Sequence, residues 1–127
     1  MRHTNVAIVA LVLATMPATV FSQELTGEWV SDIDAINGTR ARTVYEFSVD
    51  GSKLTGSVLG GAREEERPIA NGKIKGNKIS FSVQLHQGNR TLSFLYEGKI
   101  ISADTISFTV THGMLTRARF TARKSTQ

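Results

Sequence analysis

The sequence predicts an all-β fold: a single eight-stranded antiparallel up-and-down barrel that follows a cleaved signal peptide. Three observations lead there. Apolar and polar residues alternate with period two through most of the chain, and no window longer than a few residues has the spacing of an amphipathic helix. The alternating segments are separated by short turn pairs such as Asn37-Gly38, Asp50-Gly51 and Gly76-Asn77. Eight strands in sequence order would leave two bare edges as an open sheet, and closing the sheet removes them. A β-sandwich is the competing architecture. It needs a long crossover, and only Asp32–Arg42 has the length.

The N-terminal segment has the order of a secretory signal. Arg2 and His3 start the chain, Val6–Thr15 is almost wholly apolar, Pro17 ends that run, and Val20-Phe21-Ser22 places small or medium side chains before a cut. Cleavage between Ser22 and Gln23 is expected, with residues 1–22 the signal peptide and 23–127 one barrel domain of a secreted or periplasmic protein. The apolar run is about half the ~20 residues of a membrane-spanning helix, so no span is expected after cleavage. Losing Arg2 takes the basic count from 15 to 14 against 11 acids, a net charge of +3. That is mild basicity, a weak pointer to a polyanionic partner. No aromatics are interleaved with the basic residues, so nucleic acid is not expected. The absence of cysteine excludes disulfides, thiol catalysis and thiolate metal sites.

Each strand follows from its alternation. The first, Leu25–Ile33, puts Leu25, Gly27, Trp29, Ser31 and Ile33 on one face. After the polar loop Asp32–Arg42, the second, Thr43–Val49, turns Tyr45, Phe47 and Val49 inward, and the third, Lys53–Leu59, carries Leu54, Gly56 and Val58 inward. Gly60–Glu66 is a charged connection. In the fourth strand, Arg67–Lys75, Ile69 and Ile74 have opposite parity and cannot both point inward from a regular strand. Asn71-Gly72 and Gly76-Asn77 cannot both be hairpins so close together. Gly76-Asn77 is therefore the turn and Asn71-Gly72 a β-bulge that restores the inward phase. The remaining strands are Ile79–Leu85, Thr91–Ile101, Thr105–Thr111 and Thr116–Arg123, the last closing on the first through Ala118–Ala122.

The residues then resemble a known group. Gly27-Glu28-Trp29 looks like the Gly-x-Trp signature that lipocalins and avidins share on their first strand. Asp50-Gly51 with Leu54-Thr55-Gly56 is similar to the second-to-third hairpin of avidins, and Tyr96-x-Gly98 resembles their sixth-strand pattern. The similarity runs over residues 23–127 in strand order and is closest to small secreted bacterial barrels of unestablished activity. It implies the barrel but not biotin binding. Ser31 stands where the family places a biotin-contacting asparagine, Val58 where it has a tyrosine, Gly60 where it has a serine, and the further pocket tryptophans are missing. Arg117, Arg119 and Arg123 resemble the lipocalin arginine that packs over the first-strand tryptophan, although alternation turns all three outward.

In such a barrel alternate connections share an end. Asp50-Gly51, Gly76-Asn77 and Ser102–Asp104 make a tight end; Asp32–Arg42, Gly60–Glu66, His86–Arg90 and His112–Leu115 make a longer, more polar mouth. The expected function is non-catalytic binding of a small hydrophobic or amphipathic molecule at that mouth. Ser31, Thr43, Tyr45, Arg63, Glu66, His86, Arg90 and His112 are the candidate ligand-binding residues, with Gly60–Glu66 as a lid. The competing reading is a filled barrel, since most inward residues are large. A protein partner, as for a protease-inhibitor module, is an alternative; a hydrolase using His86, His112 and a glutamate of Glu64–Glu66 is a weaker one. No cofactor and no metal is expected, because nothing in the histidine spacing demands one. Gly-x-Ser-x-Gly, His-Glu-x-x-His and phosphate-loop motifs are absent.

Overall fold

The computed structural model describes residues 25–60 and 65–125. Eight strands close into one barrel in sequence order: β1 (Gly27–Asp34), β2 (Thr39–Asp50), β3 (Lys53–Gly60), β4 (Glu65–Lys75), β5 (Lys78–Gln87), β6 (Arg90–Ser102), β7 (Thr105–His112) and β8 (Leu115–Lys124). Every neighbouring pair is antiparallel. The expected signal segment, the cleavage point and Arg63 lie outside the described residues.

Alternation places the core as expected. Trp29, Tyr45, Phe47, Leu54, Val58, Phe81, Val83, Phe94, Tyr96, Ile106 and Phe108 are all buried, and their outward neighbours are mostly polar, with Val30, Val44, Leu59 and Leu95 the apolar exceptions. Each fully buried side chain of this size stabilises by roughly 1.5–3 kcal/mol relative to exposure. The rings fill the lumen: Phe81 stacks on Tyr96 with centroids 4.8 Å apart, and Phe108 on Phe120 at 5.5 Å. Gly98 makes this layer possible, since a Cβ there would come within 2.7 Å of Phe108 Cε1.

The bulge in β4 is where parity requires it. Ala70 pairs with Ser82 and Lys73 with Ser80, so β4 spends one residue more than β5 across that step. Asn71, at φ +56°, is the one non-glycine residue with positive φ in the described chain. Ile69 on the mouth side of the bulge and Ile74 on its tight-end side both join the core.

Four expectations need correction. First, β1 starts at Gly27, not Leu25. Leu25 precedes the strand, buried beneath the barrel, and its carbonyl accepts a hydrogen bond from Trp29 Nε1 at 2.9 Å. Second, the strands run through most of the mouth loops: Asp32–Arg42 shrinks to a turn at residues 35–38, and β5–β6 and β7–β8 are joined by two residues each. Asp34 organises the first of these turns. Its Oδ1 accepts from the amides of Ile36 (3.1 Å) and Asn37 (3.2 Å), and Oδ2 from Asn37 Nδ2 (2.8 Å). The capped turn folds inward, so Asp34, Ala35 and Ile36 are buried while Ile33 is only half-buried.

Third, the barrel closes lower than expected. β1 and β8 pair only at Trp29 with Lys124 and Val30 with Arg123, reinforced by Ser125 N donating to Glu28 O at 2.8 Å; Ala118–Ala122 pair with β7 alone. Fourth, the cation over Trp29 is Lys124, with Nζ 5.7 Å from the ring centroid and donating to Thr26 O at 3.0 Å. Arg117 turns toward the mouth instead of outward because it is the extra residue of a bulge: Val110 pairs with Ala118 but Thr111 with Thr116. Its guanidinium lies 6.0 Å from the Phe94 centroid and donates to Ile36 O at 3.1 Å.

Candidate functional site

The upper lumen is polar by design of three inward positions. Ser31 Oγ and Tyr45 Oη are 3.0 Å apart, and Ser31 Oγ also donates to Ile33 O at 3.0 Å. Thr43 Oγ1 contacts the carbonyls of Ile33 (3.1 Å) and Ala41 (3.3 Å). These three predicted ligand contacts are thus saturated by the protein itself, beneath a mouth covered by Ile36, which is 4% exposed. They hold the top of β1 against β2 and do not line an open cup.

The histidines do not converge. His86 continues the outward parity of β5, with Nδ1 3.1 Å from Thr91 Oγ1. His112 lies on the inward side of β7, its Nδ1–H donating to Ser93 O at 3.0 Å and its ring 5.1 Å from that of Phe94. They stand two strands apart, about 10 Å, on opposite faces of the wall. No grouping of three metal-ligating side chains occurs among the described residues. Arg90 is exposed at the β5–β6 turn, and Glu66 faces outward, accepting from Ser57 Oγ at 2.9 Å.

What the fold does assemble lies on the side wall. The β4–β5 ladder stops at Ile69 with Val83, although β4 stays paired with β3 up to Glu65 and β5 with β6 up to Gln87. Two otherwise complete strands therefore part over their last turns. Pro68, which has no N–H to give, sits where the ladder ends. The slit holds a cavity of ≈ 300 Å³ between Glu65–Ala70 and Gln84–His86. Predicted residues Glu66 and His86 border it, and Ile69 and Leu85 give it an apolar floor continuous with the core.

Arg67 heads the slit. It pairs across the ladder with buried Val58 and so points inward, its side chain only 15% exposed. Its hydrogen bond and ion pair run from Nη2 to Glu65 Oε1 at 2.8 Å. That leaves most of its five N–H donors unused among the described residues. Tyr96, 1% exposed, is a second inward polar side chain; its hydroxyl bonds no described residue, and the Arg67 charge bears on it electrostatically. No buried side-chain nitrogen or oxygen is both sealed and unpartnered, so this hydroxyl touches a space able to admit water.

The electrostatics of the lumen favour neutral phenols. Burial pushes the Tyr96 phenol far above its usual range, with Tyr45 and Asp34 adding to the rise and Arg67 opposing it. Burial likewise raises Tyr45, the Ser31 hydrogen bond opposing and Asp34 adding. An acid whose folded pKa is raised contributes stability that is complete below the unfolded value of about 10 and is lost as pH climbs toward the folded value. These are the chain's two tyrosines. An alkaline titration followed at the phenolate absorbance is expected to show no ionisation near pH 10 and then a step coincident with loss of β circular dichroism. A phenolate signal rising near pH 10 with the fold intact would place a tyrosine in solvent.

Sequence reasoning missed Arg67, Ile69 and Leu85 as site residues. Two signals were available: a proline inside a strand, and the shared parity of Arg67 with Ile69. No family model matches the chain, and neither a characterised protein nor a solved structure does.

Proposed function

We propose that the chain is an exported, non-catalytic binding protein that takes a small amphipathic anion at the β4–β5 slit. The anionic head meets Arg67 and the Tyr96 hydroxyl, while the apolar part lies on Ile69 and Leu85. The observation that carries this reading is the inward, largely covered Arg67 with unused donors beside a cavity whose floor is apolar. Covering a guanidinium is unfavourable unless its donors find partners, and a bound carboxylate supplies them. The cavity is at the small end of the ~300–1,000 Å³ range of ligand sites. The basic-then-apolar N-terminal segment supports export, and the Gly-x-Trp strand with sequential closure supports a place among lipocalin- and avidin-like barrels.

Native mass spectrometry of the purified chain, followed by titration with decanoate and decanol, tests it. Decanoate is expected to bind and decanol to bind far more weakly. Arg67→Gln is expected to weaken decanoate by tenfold or more, the size of a lost charge-assisted hydrogen bond of about 1.5–3 kcal/mol. Equal binding of acid and alcohol, unchanged binding in Arg67→Gln, or no binding and no co-purified molecule each refute the reading.

A further inference from the structure

The outer wall over β3–β6 carries a feature that the slit does not use. In its tight-end half, the outward positions include Lys53 on β3, Lys73 and Lys75 on β4, Lys78 on β5 and Lys99 on β6. The bulge at Asn71 sets this face, since it turns Ile74 inward and the two lysines beside it outward. Strand register then opposes like charges directly: Lys53 with Lys73, Lys75 with Lys78, and Lys78 with Lys99. Such pairs have Cβ atoms about 4.5–5.5 Å apart and are destabilising.

Two ordinary explanations for strand lysines do not fit. Lysines guard sheet edges against pairing with other chains, but these strands lie inside a closed barrel, paired on both sides. Surface charge kept for solubility mixes both signs. Here none of the five lysines has a carboxylate within ion-pairing distance among the described residues. Four of them border a groove of ≈ 610 Å³ on the outer wall, with Glu97 as its one acid and Ser80, Ser107 and Thr109 adding hydroxyls.

We propose that this groove binds an anionic polysaccharide. The ammonium groups meet its sulfates or carboxylates, and the serine and threonine hydroxyls meet its sugar hydroxyls. The hydroxyls of Ser80, Ser107 and Thr109 set among the ammonium groups favour a sugar chain, which offers both anions and hydroxyls, over a bilayer surface. Binding also removes the opposed-lysine repulsion, so the complexed barrel is more stable than the free one.

The test is titration of the full chain with dextran sulfate, uncharged dextran, and vesicles rich in phosphatidylglycerol. Dextran sulfate is expected to bind, less tightly as salt rises, and dextran not to bind. Exchanging Lys78 and Lys99 together for serine should weaken dextran sulfate by about tenfold or more, on the scale of two surface lysines' attraction to an anionic surface. The same variant should melt no lower than the parent, because opposed charges have been removed. Glu97→Gln should tighten binding. Failure to bind dextran sulfate, unchanged affinity in the lysine variant, or stronger binding to the vesicles overturns the proposal. Arg67→Gln leaves dextran sulfate binding untouched, so this site and the slit stand or fall separately.

Discussion

Replacing Trp29 with alanine is expected to destabilise the barrel by about 3–5 kcal/mol, a large share of the 5–15 kcal/mol of an ordinary domain. Three contacts meet on this side chain. The indole fills the lumen just above the tight end, its N–H donates to Leu25 O at 2.9 Å, and its face carries the Lys124 ammonium. The backbone at Trp29 is also one of the two residues of β1 paired with β8. Alanine leaves a void under the aromatic layer and frees Leu25 from the base. Trp29→Phe keeps much of the buried area and loses the hydrogen bond, so about 1–2 kcal/mol is expected there. Because Trp29 is the only tryptophan, urea unfolding of both variants must be followed by circular dichroism. A loss below about 1 kcal/mol for Trp29→Ala would mean that the base of the barrel is held by something else.

Gly56→Ala is expected to be of similar size for a different reason. Gly56 has φ +147°, a conformation side chains rarely adopt, and a Cβ there would overlap the Glu46 carbonyl oxygen and lie 3.3 Å from Phe47 Cα. Those atoms belong to the backbone of β2, which is paired residue by residue with β3 at this point, so no rotamer change relieves the overlap. A loss of about 3 kcal/mol or more follows, lowering Tm by about 15 °C in a domain of this length. Gly51→Ala is the control: its φ of +64° strains alanine too, but nothing lies within 4 Å of the added methyl. It should cost about 1 kcal/mol. Equal melting temperatures for the two variants would show that strand approach is not the cause.

The barrel was legible because its signals are local. Ile79, Phe81, Val83 and Leu85 alternate without interruption, and the clash of parity between Ile69 and Ile74 left a bulge at Asn71-Gly72 as the solution. The site was less legible because it depends on where pairing stops. Nothing in Asp32–Arg42 announces that one carboxylate, Asp34, ties the turn down and draws Ile36 over the mouth. Ser31, Thr43 and Tyr45 were rightly placed inward, but inward polar residues consume one another's hydrogen bonds when neighbouring strands bring them together. Whether Arg67 opens to a cavity or packs under a continuous wall is decided by the separation of β4 from β5, a property of two strands that neither encodes alone.

The two-pair seam between β1 and β8 also sets an order of assembly. Trp29 and Lys124 are 95 residues apart along the chain, whereas β5 and β6 join across two residues into ten matched pairs. Loop-closure entropy makes the local hairpins cheap to nucleate and the seam the most demanding contact to make. The hairpins therefore zip first into a curved, open sheet, and the cylinder locks only when the final residues of β8 reach Glu28–Val30. A chain emerging N-terminus first can therefore close its seam only once Arg123 and Lys124 are free to pair with Val30 and Trp29.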